Sequence, residues 1–143
     1  MSVYSKLFEI QQTLKAPKGQ YNNFGKYKYR SCEDILEAVK PILAQQRATI
    51  ILYDELVLNG QRYYIKATAC LTDIETGEQV KSEAYAREEE NKKGMDSSQV
   101  TGASSSYARK YALNGLLCID DNKDSDATNT YGKDENKNQQ QQK

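Results

Sequence analysis

The sequence predicts an α+β fold, an antiparallel β-meander of three to four strands packed against helices. Three observations carry the prediction. Apolar residues recur at helical spacing in the first third of the chain. Residues 49–88 alternate with a period of two around two turn signals. A second helical stretch follows, from Asp96 to about Leu117. Runs of strands beside runs of helices, rather than strict alternation, mark the α+β class.

The elements follow in order. Val3, Leu7, Ile10 and Leu14 share one face of a helix, which Pro17 and Gly19 should end. A polar loop is expected from there to about Gly25. Lys26 to Arg30 alternates cation and tyrosine. In an extended strand this sets Lys26, Lys28 and Arg30 on one face and Tyr27 and Tyr29 on the other. Ser31 has the place of a helix N-cap, with Asp34 at the reciprocal position. Ile35, Leu36, Val39, Ile42 and Leu43 form that helix's stripe, with Pro41 inside it as a source of a kink, and a stop near Gln46. Thr49 to Leu58 reads as a strand, and Asn59-Gly60 as a hairpin turn. Gln61 to Ile74 puts Tyr63, Ile65, Ala67, Ala69 and Leu71 on one face. Glu75-Thr76-Gly77 turns the chain into a third strand, Gln79 to Glu88. A charged loop and a helix capped by Asp96 or Ser97 come next.

Beyond Ile119 little is left to bury. Asp, Asn, Lys and Ser lead to a closing run of glutamine, so disorder is expected. The domain expected is therefore 1–119, with an acidic and Gln-rich tail at 120–143.

Net charge is formally zero over 143 residues, which excludes a polybasic coat. The distribution is uneven. Residues 1–119 carry 16 Lys and Arg against 14 Asp and Glu, and residues 120–143 carry 4 against 6. Between Leu14 and Glu33 lie Lys15, Lys18, Lys26, Lys28 and Arg30 with no acid. Such a stripe suits phosphate contact, but by itself it reads first as a solvated loop and strand face. Histidine is absent, which removes His-based triads, His-ligated zinc and His-based nucleases. Cys32, Cys70 and Cys118 are too far apart for a zinc ribbon and odd in number, so they read as buried or half-buried packing residues in a reducing compartment. No secretory signal or membrane span is expected, and a cytoplasmic location is. Asp120, Asn122, Asp124 and Asp126 have calcium-loop spacing, but Ser125 and Tyr131 replace the required Gly and Glu. No metal site and no cofactor are expected.

The segment 94–121 stands apart. Its first half is small: Ser97, Ser98, Thr101, Gly102, Ala103, Ser104, Ser105 and Ser106. Ser, Thr and Gly are mediocre helix formers, and such a run implies close packing or contact. Tyr107 and Tyr111 then share a face, with Arg109 and Lys110 to either side. Cations interleaved with rings suit single-stranded nucleic acid. A helix packed by its small face, with tyrosines in the core, would show the same residues.

This segment resembles the signature of the ERF (essential recombination function) family of phage single-strand annealing proteins. The resemblance lies in Gly94-Met95-Asp96, Gln99, Gly102, Ser106-Tyr107-Ala108-Arg109-Lys110-Tyr111-Ala112-Leu113 and Ile119-Asp120-Asp121. Tyr27 to Ser31, Asp34-Ile35-Leu36 and Val39 to Leu43 resemble that family's N-terminal block. Ser97 stands where members often carry Pro, and the acidic run after the helix is sparser. The resemblance implies a β-β-β-α core like that of eukaryotic strand-annealing mediators. It also implies ring or filament homo-oligomers that hold single-stranded DNA in a basic groove without ATP. The absence of a Gly-Lys-Ser/Thr phosphate loop agrees.

On this reading the chain is not an enzyme. Lys26, Lys28, Arg30, Arg109 and Lys110 would neutralise phosphates. Tyr27, Tyr29, Tyr107 or Tyr111 would stack on bases, and Ser104, Ser105 and Ser106 would donate to phosphate oxygens. A host or phage single-stranded-DNA-binding protein is a candidate partner for the tail. Two rivals stay open: a nucleic-acid or protein interaction module that does not anneal, and a metal-dependent nuclease using acids near Asp120.

Overall fold

The computed structural model describes residues 2–87 and 97–119, the side chains of 97–101 excepted. The chain divides into two compact units. One comprises residues 1–16 and 32–120; the described part of the other is residues 17–31. The expectations for the loop after Glu88, for Gly94 to Asp96 and for the tail lie outside the described residues.

In the larger unit, helix α1 spans Val3–Thr13. The Ser2 hydroxyl caps it by accepting from the Ser5 N–H at 3.1 Å. Val3 and Ile10 are buried, Leu7 and Leu14 half-buried, as the spacing predicts. Helix α2, Cys32–Gln46, runs through Pro41 without a break. Arg47 follows in the left-handed region at φ 55°, ending the helix as a C-terminal residue commonly does.

Strands β3 (Ala48–Asn59), β4 (Arg62–Asp73) and β5 (Gln79–Arg87) form an antiparallel meander in the order β3-β4-β5. Helix α3, Ser97–Leu117, completes a β-β-β-α sequence of elements. Asn59 pairs with Arg62, so the turn residues are Gly60 and Gln61, one position later than the sequence reading. Gly60 holds φ 67°, and Gln61 is not among the positive-φ residues. Positive φ at the first turn position alone is the type II′ pattern, in which glycine, not asparagine, is required.

The inner face of the sheet carries Ala48, Ile65, Ala67, Ala69, Leu71 and Ala86, all buried. Tyr63 shares that face but is exposed, as are its neighbours Leu56 and Leu58 at the hairpin end. No described residue covers that end. Helix α3 sets Ala108, Ala112, Leu113, Leu116 and Leu117 into the same core. Full burial of each such Leu contributes about 1.5–3 kcal/mol. Small residues on both sides bring helix and strand together. A Cβ on Gly115 would come within 2.9 Å of Ser82 Oγ on β5. Close approach thus occurs in the second half of α3, whereas a Cβ at Gly102 would meet nothing within 4 Å.

Lys6 and Asp73 are buried together, Nζ to Oδ1 at 2.9 Å. The Asp73 carboxylate also accepts the Glu75 N–H at 2.9 Å. Hydrogen bonding by that N–H, then by Lys6, holds the Asp73 carboxyl below the usual carboxylate range. The bond to Asp73 in turn raises the Lys6 ammonium above its ordinary value. All three cysteines are free. Cys32 and Cys70 are buried, and burial pushes the Cys32 thiol up. Cys118 corrects the packing expectation, because it is exposed at φ 62° where α3 ends, with the Ile119 N–H closing back on Asn114 O. No described helix is long and apolar enough to cross a membrane.

In the smaller unit, β1 (Gln20–Asn22) pairs antiparallel with β2 (Tyr27–Tyr29). The first strand replaces the polar loop expected there, since Gln-Tyr-Asn has no apolar alternation to mark it.

Candidate nucleic-acid interface

The β1–β2 hairpin carries the first cationic–aromatic segment. Tyr21 opposes Lys28 and Asn22 opposes Tyr27. Directly opposed residues share a face, so Tyr21 and Lys28 lie on one side, and Asn22, Tyr27 and Tyr29 on the other. Tyr27 and Tyr29 are half-buried and pack ring to ring, centroids 6.0 Å apart. The Asn22 side-chain amide donates to the Tyr27 hydroxyl at 3.1 Å. Lys28 is exposed, and Arg30 is half-exposed just past the strand. Lys26 departs from the alternation. It sits in the turn at φ 57°, exposed, rather than in the strand beside Lys28 and Arg30.

Helix α3 carries the second. Tyr107 and Tyr111 are 55% and 38% exposed, with ring centroids 4.7 Å apart and hydroxyls at 3.3 Å. They are a surface pair and not part of the core, which the alternate residues Ala108 and Ala112 fill. Lys110 is half-exposed. Arg109 Nε donates to Asp54 Oδ1 on β3 at 3.0 Å, and the Ser105 hydroxyl donates to Asp54 Oδ2. Ser104 Oγ donates to the Arg87 carbonyl at 3.4 Å, and Ser106 is exposed. Two of the three serines are thus turned to intramolecular acceptors.

The described residues contain no cluster of three or more acids and cysteines able to hold a metal. The acids near Asp120 lie outside the described residues.

Residues 3–143 match the model of the ERF superfamily. The chain belongs to the ERF superfamily. The ERF match takes in both the hairpin and α3. The chain is also 64% identical over 123 residues to the essential recombination function protein of Salmonella phage P22. That alignment covers 86% of this chain and 58% of the phage protein, so the chain spans little more than half of its relative's length. No solved structure matches.

From Ser106 to Leu113, two kinds of residue alternate around one helix. Ala108, Ala112 and Leu113 anchor it, while Tyr107, Lys110 and Tyr111 reach the surface. The sequence reading missed Asp54, Tyr21 and Phe24. Asp54 was visible in principle. It interrupts the inward-facing series Ile50, Leu52, Leu56, Leu58, where an acid needs a partner. Tyr21 and Phe24 fell in a segment taken as loop, where side-chain direction has no periodicity to read.

Proposed function

We propose that this chain is a recombination protein that binds single-stranded DNA and pairs complementary strands without ATP, as a homo-oligomer. The observation that carries the reading is the exposed Tyr107–Tyr111 pair beside Lys110 and Arg109, inside the ERF signature. Rings accept bases of any sequence by stacking, and cations follow the backbone, so a strand is held without sequence readout. The exposed Lys26 and Lys28, with Arg30, supply a second cationic segment in a stretch free of acids. The name of the phage P22 relative, an essential recombination function protein, supports the process.

The chemistry is physical rather than covalent. Neutralising phosphates releases counterions, so affinity falls steeply with salt. Holding two strands on one assembly raises their effective concentration and speeds pairing. Anisotropy of a labelled oligonucleotide, with and without its complement, tests the binding step. Binding of the single strand in preference to the duplex, weakening linearly with log salt, is expected. Equal affinity for both, or none for either at low salt, contradicts the reading. Light scattering on the same samples tests assembly, and a monomer that binds but does not assemble favours the non-annealing module.

A further inference from the structure

We propose that the β1–β2 hairpin is a base-stacking element, with Phe24 at its tip seated against unpaired bases and Tyr21 beside it. The inference rests on the reading of the chain as a single-strand-binding protein and adds to it a contact at residues outside the Tyr27–Arg30 and Ser104–Tyr111 segments.

Phe24 is 99% exposed, more than any other large apolar residue among those described. A phenylalanine ring held wholly in water gains by finding an apolar surface. Its surroundings restrict what that surface belongs to. Residues 17–31 contain Lys18, Lys26, Lys28 and Arg30 and no acid. Lys26 is two residues from Phe24 and exposed, and Lys28 shares the open face with Tyr21, itself 51% exposed. An unpaired nucleic-acid strand offers both complements at once, a flat ring for Phe24 and phosphates for the lysines.

The backbone of the turn that carries Phe24 is held in place. The Gly25 N–H donates to Asn22 Oδ1 at 2.9 Å, and the Lys26 N–H to the Asn22 carbonyl at 2.7 Å. Lys26 closes the turn in the left-handed conformation. At Gly25 an added Cβ would stand 2.7 Å from the Tyr27 ring, which the Asn22 amide and Tyr29 hold. Glycine is therefore needed there, and the turn is tight. A preformed turn spares the ordering cost that a floppy loop would meet on binding.

The chain has no tryptophan, so Phe24→Trp introduces a single indole at the tip, which can be excited selectively over the tyrosines. Oligo(dT) should quench its emission saturably, along the same curve as anisotropy of the labelled strand. Phe8→Trp, at an exposed position on α1, should stay unquenched. Phe24→Ala should weaken binding at least about fivefold with the salt slope unchanged, because a stacked base and not a phosphate is lost. Anisotropy that reports binding, with no quenching of Phe24→Trp and normal affinity in Phe24→Ala, overturns the hairpin proposal and leaves the binding reading standing. No anisotropy change with the unaltered protein overturns both. A Phe24→Ala protein that binds normally but scatters as a smaller assembly shows that the tip is a subunit contact, and also overturns the proposal.

Discussion

Asp54 on β3 and Arg109 on α3 are joined Oδ1 to Nε at 3.0 Å, 55 residues apart in sequence. The pair pins the helix to the sheet through the arginine that stands between Tyr107 and Tyr111. It also offsets part of that arginine's charge. Arg109 is thus both a packing element and a candidate phosphate contact, and the two roles are separable by experiment.

If Arg109 meets phosphate, Arg109→Ala should reduce the slope of log affinity against log salt by about one. Asp54→Asn should raise affinity at low salt, since it removes the competing carboxylate while keeping a hydrogen-bond acceptor. Each change should cost no more than about 1 kcal/mol of stability, because the pair is partly exposed. Salt titrations of oligonucleotide binding on the two variants check this. An unchanged slope in Arg109→Ala restricts Arg109 to its packing role.

The Lys6–Asp73 pair predicts a pH profile for stability. The Asp73 carboxyl lies below its usual value in the folded chain, so its contribution is present above the unfolded carboxylate pKa of about 3.9 and is lost as pH falls through the lower folded value. Lys6 is raised, so its contribution holds below an unfolded pKa of about 10.4 and is lost as pH rises past the folded value. Melting temperature against pH should be flat for this pair between those limits and fall in acid. Asp73→Asn should lower the plateau and flatten the acid limb. An acid limb of unchanged steepness in that variant means that other carboxylates govern it.

Leu113 is fully buried between α3 and the sheet. Leu113→Ala should cost about 2–5 kcal/mol in denaturant unfolding, from lost transfer energy and the cavity left behind. A cost under about 1 kcal/mol would mean that α3 is not docked as described.

Gly102 lies in α3 with nothing near its missing Cβ. Gly102→Ala should therefore stabilise the isolated subunit by about 0.5–1 kcal/mol through helix propensity. If the same variant assembles poorly in light scattering, the small-residue half of α3 is a contact between copies. Unaltered assembly removes that half from the interface.

The meander was legible because each strand alternates, and Gly60 and Gly77 mark its turns with positive φ. Helices α1 and α2 were legible from their apolar spacing, and α3 from its cap and extent. What escaped was set by contacts distant in sequence. Whether Tyr107 and Tyr111 were core or surface turned on Ala108 and Ala112 fitting the small inner face of β4 and β5. The company Arg109 keeps depended on Asp54, a strand residue far from the motif. Lys26 looked like a strand residue because the Lys-Tyr alternation includes it, yet the turn needed a left-handed residue at its end. Phe24 gave no signal, since a loop has no period.

The most direct test mixes the unaltered protein with two complementary oligonucleotides carrying a donor and an acceptor dye, and follows energy transfer over time without ATP. The account predicts pairing faster than the spontaneous rate, with an optimum near the protein level that just coats both strands, and loss of the acceleration as salt rises. Pairing at the spontaneous rate across protein and salt concentrations, with the single strand demonstrably bound, would contradict annealing as the function.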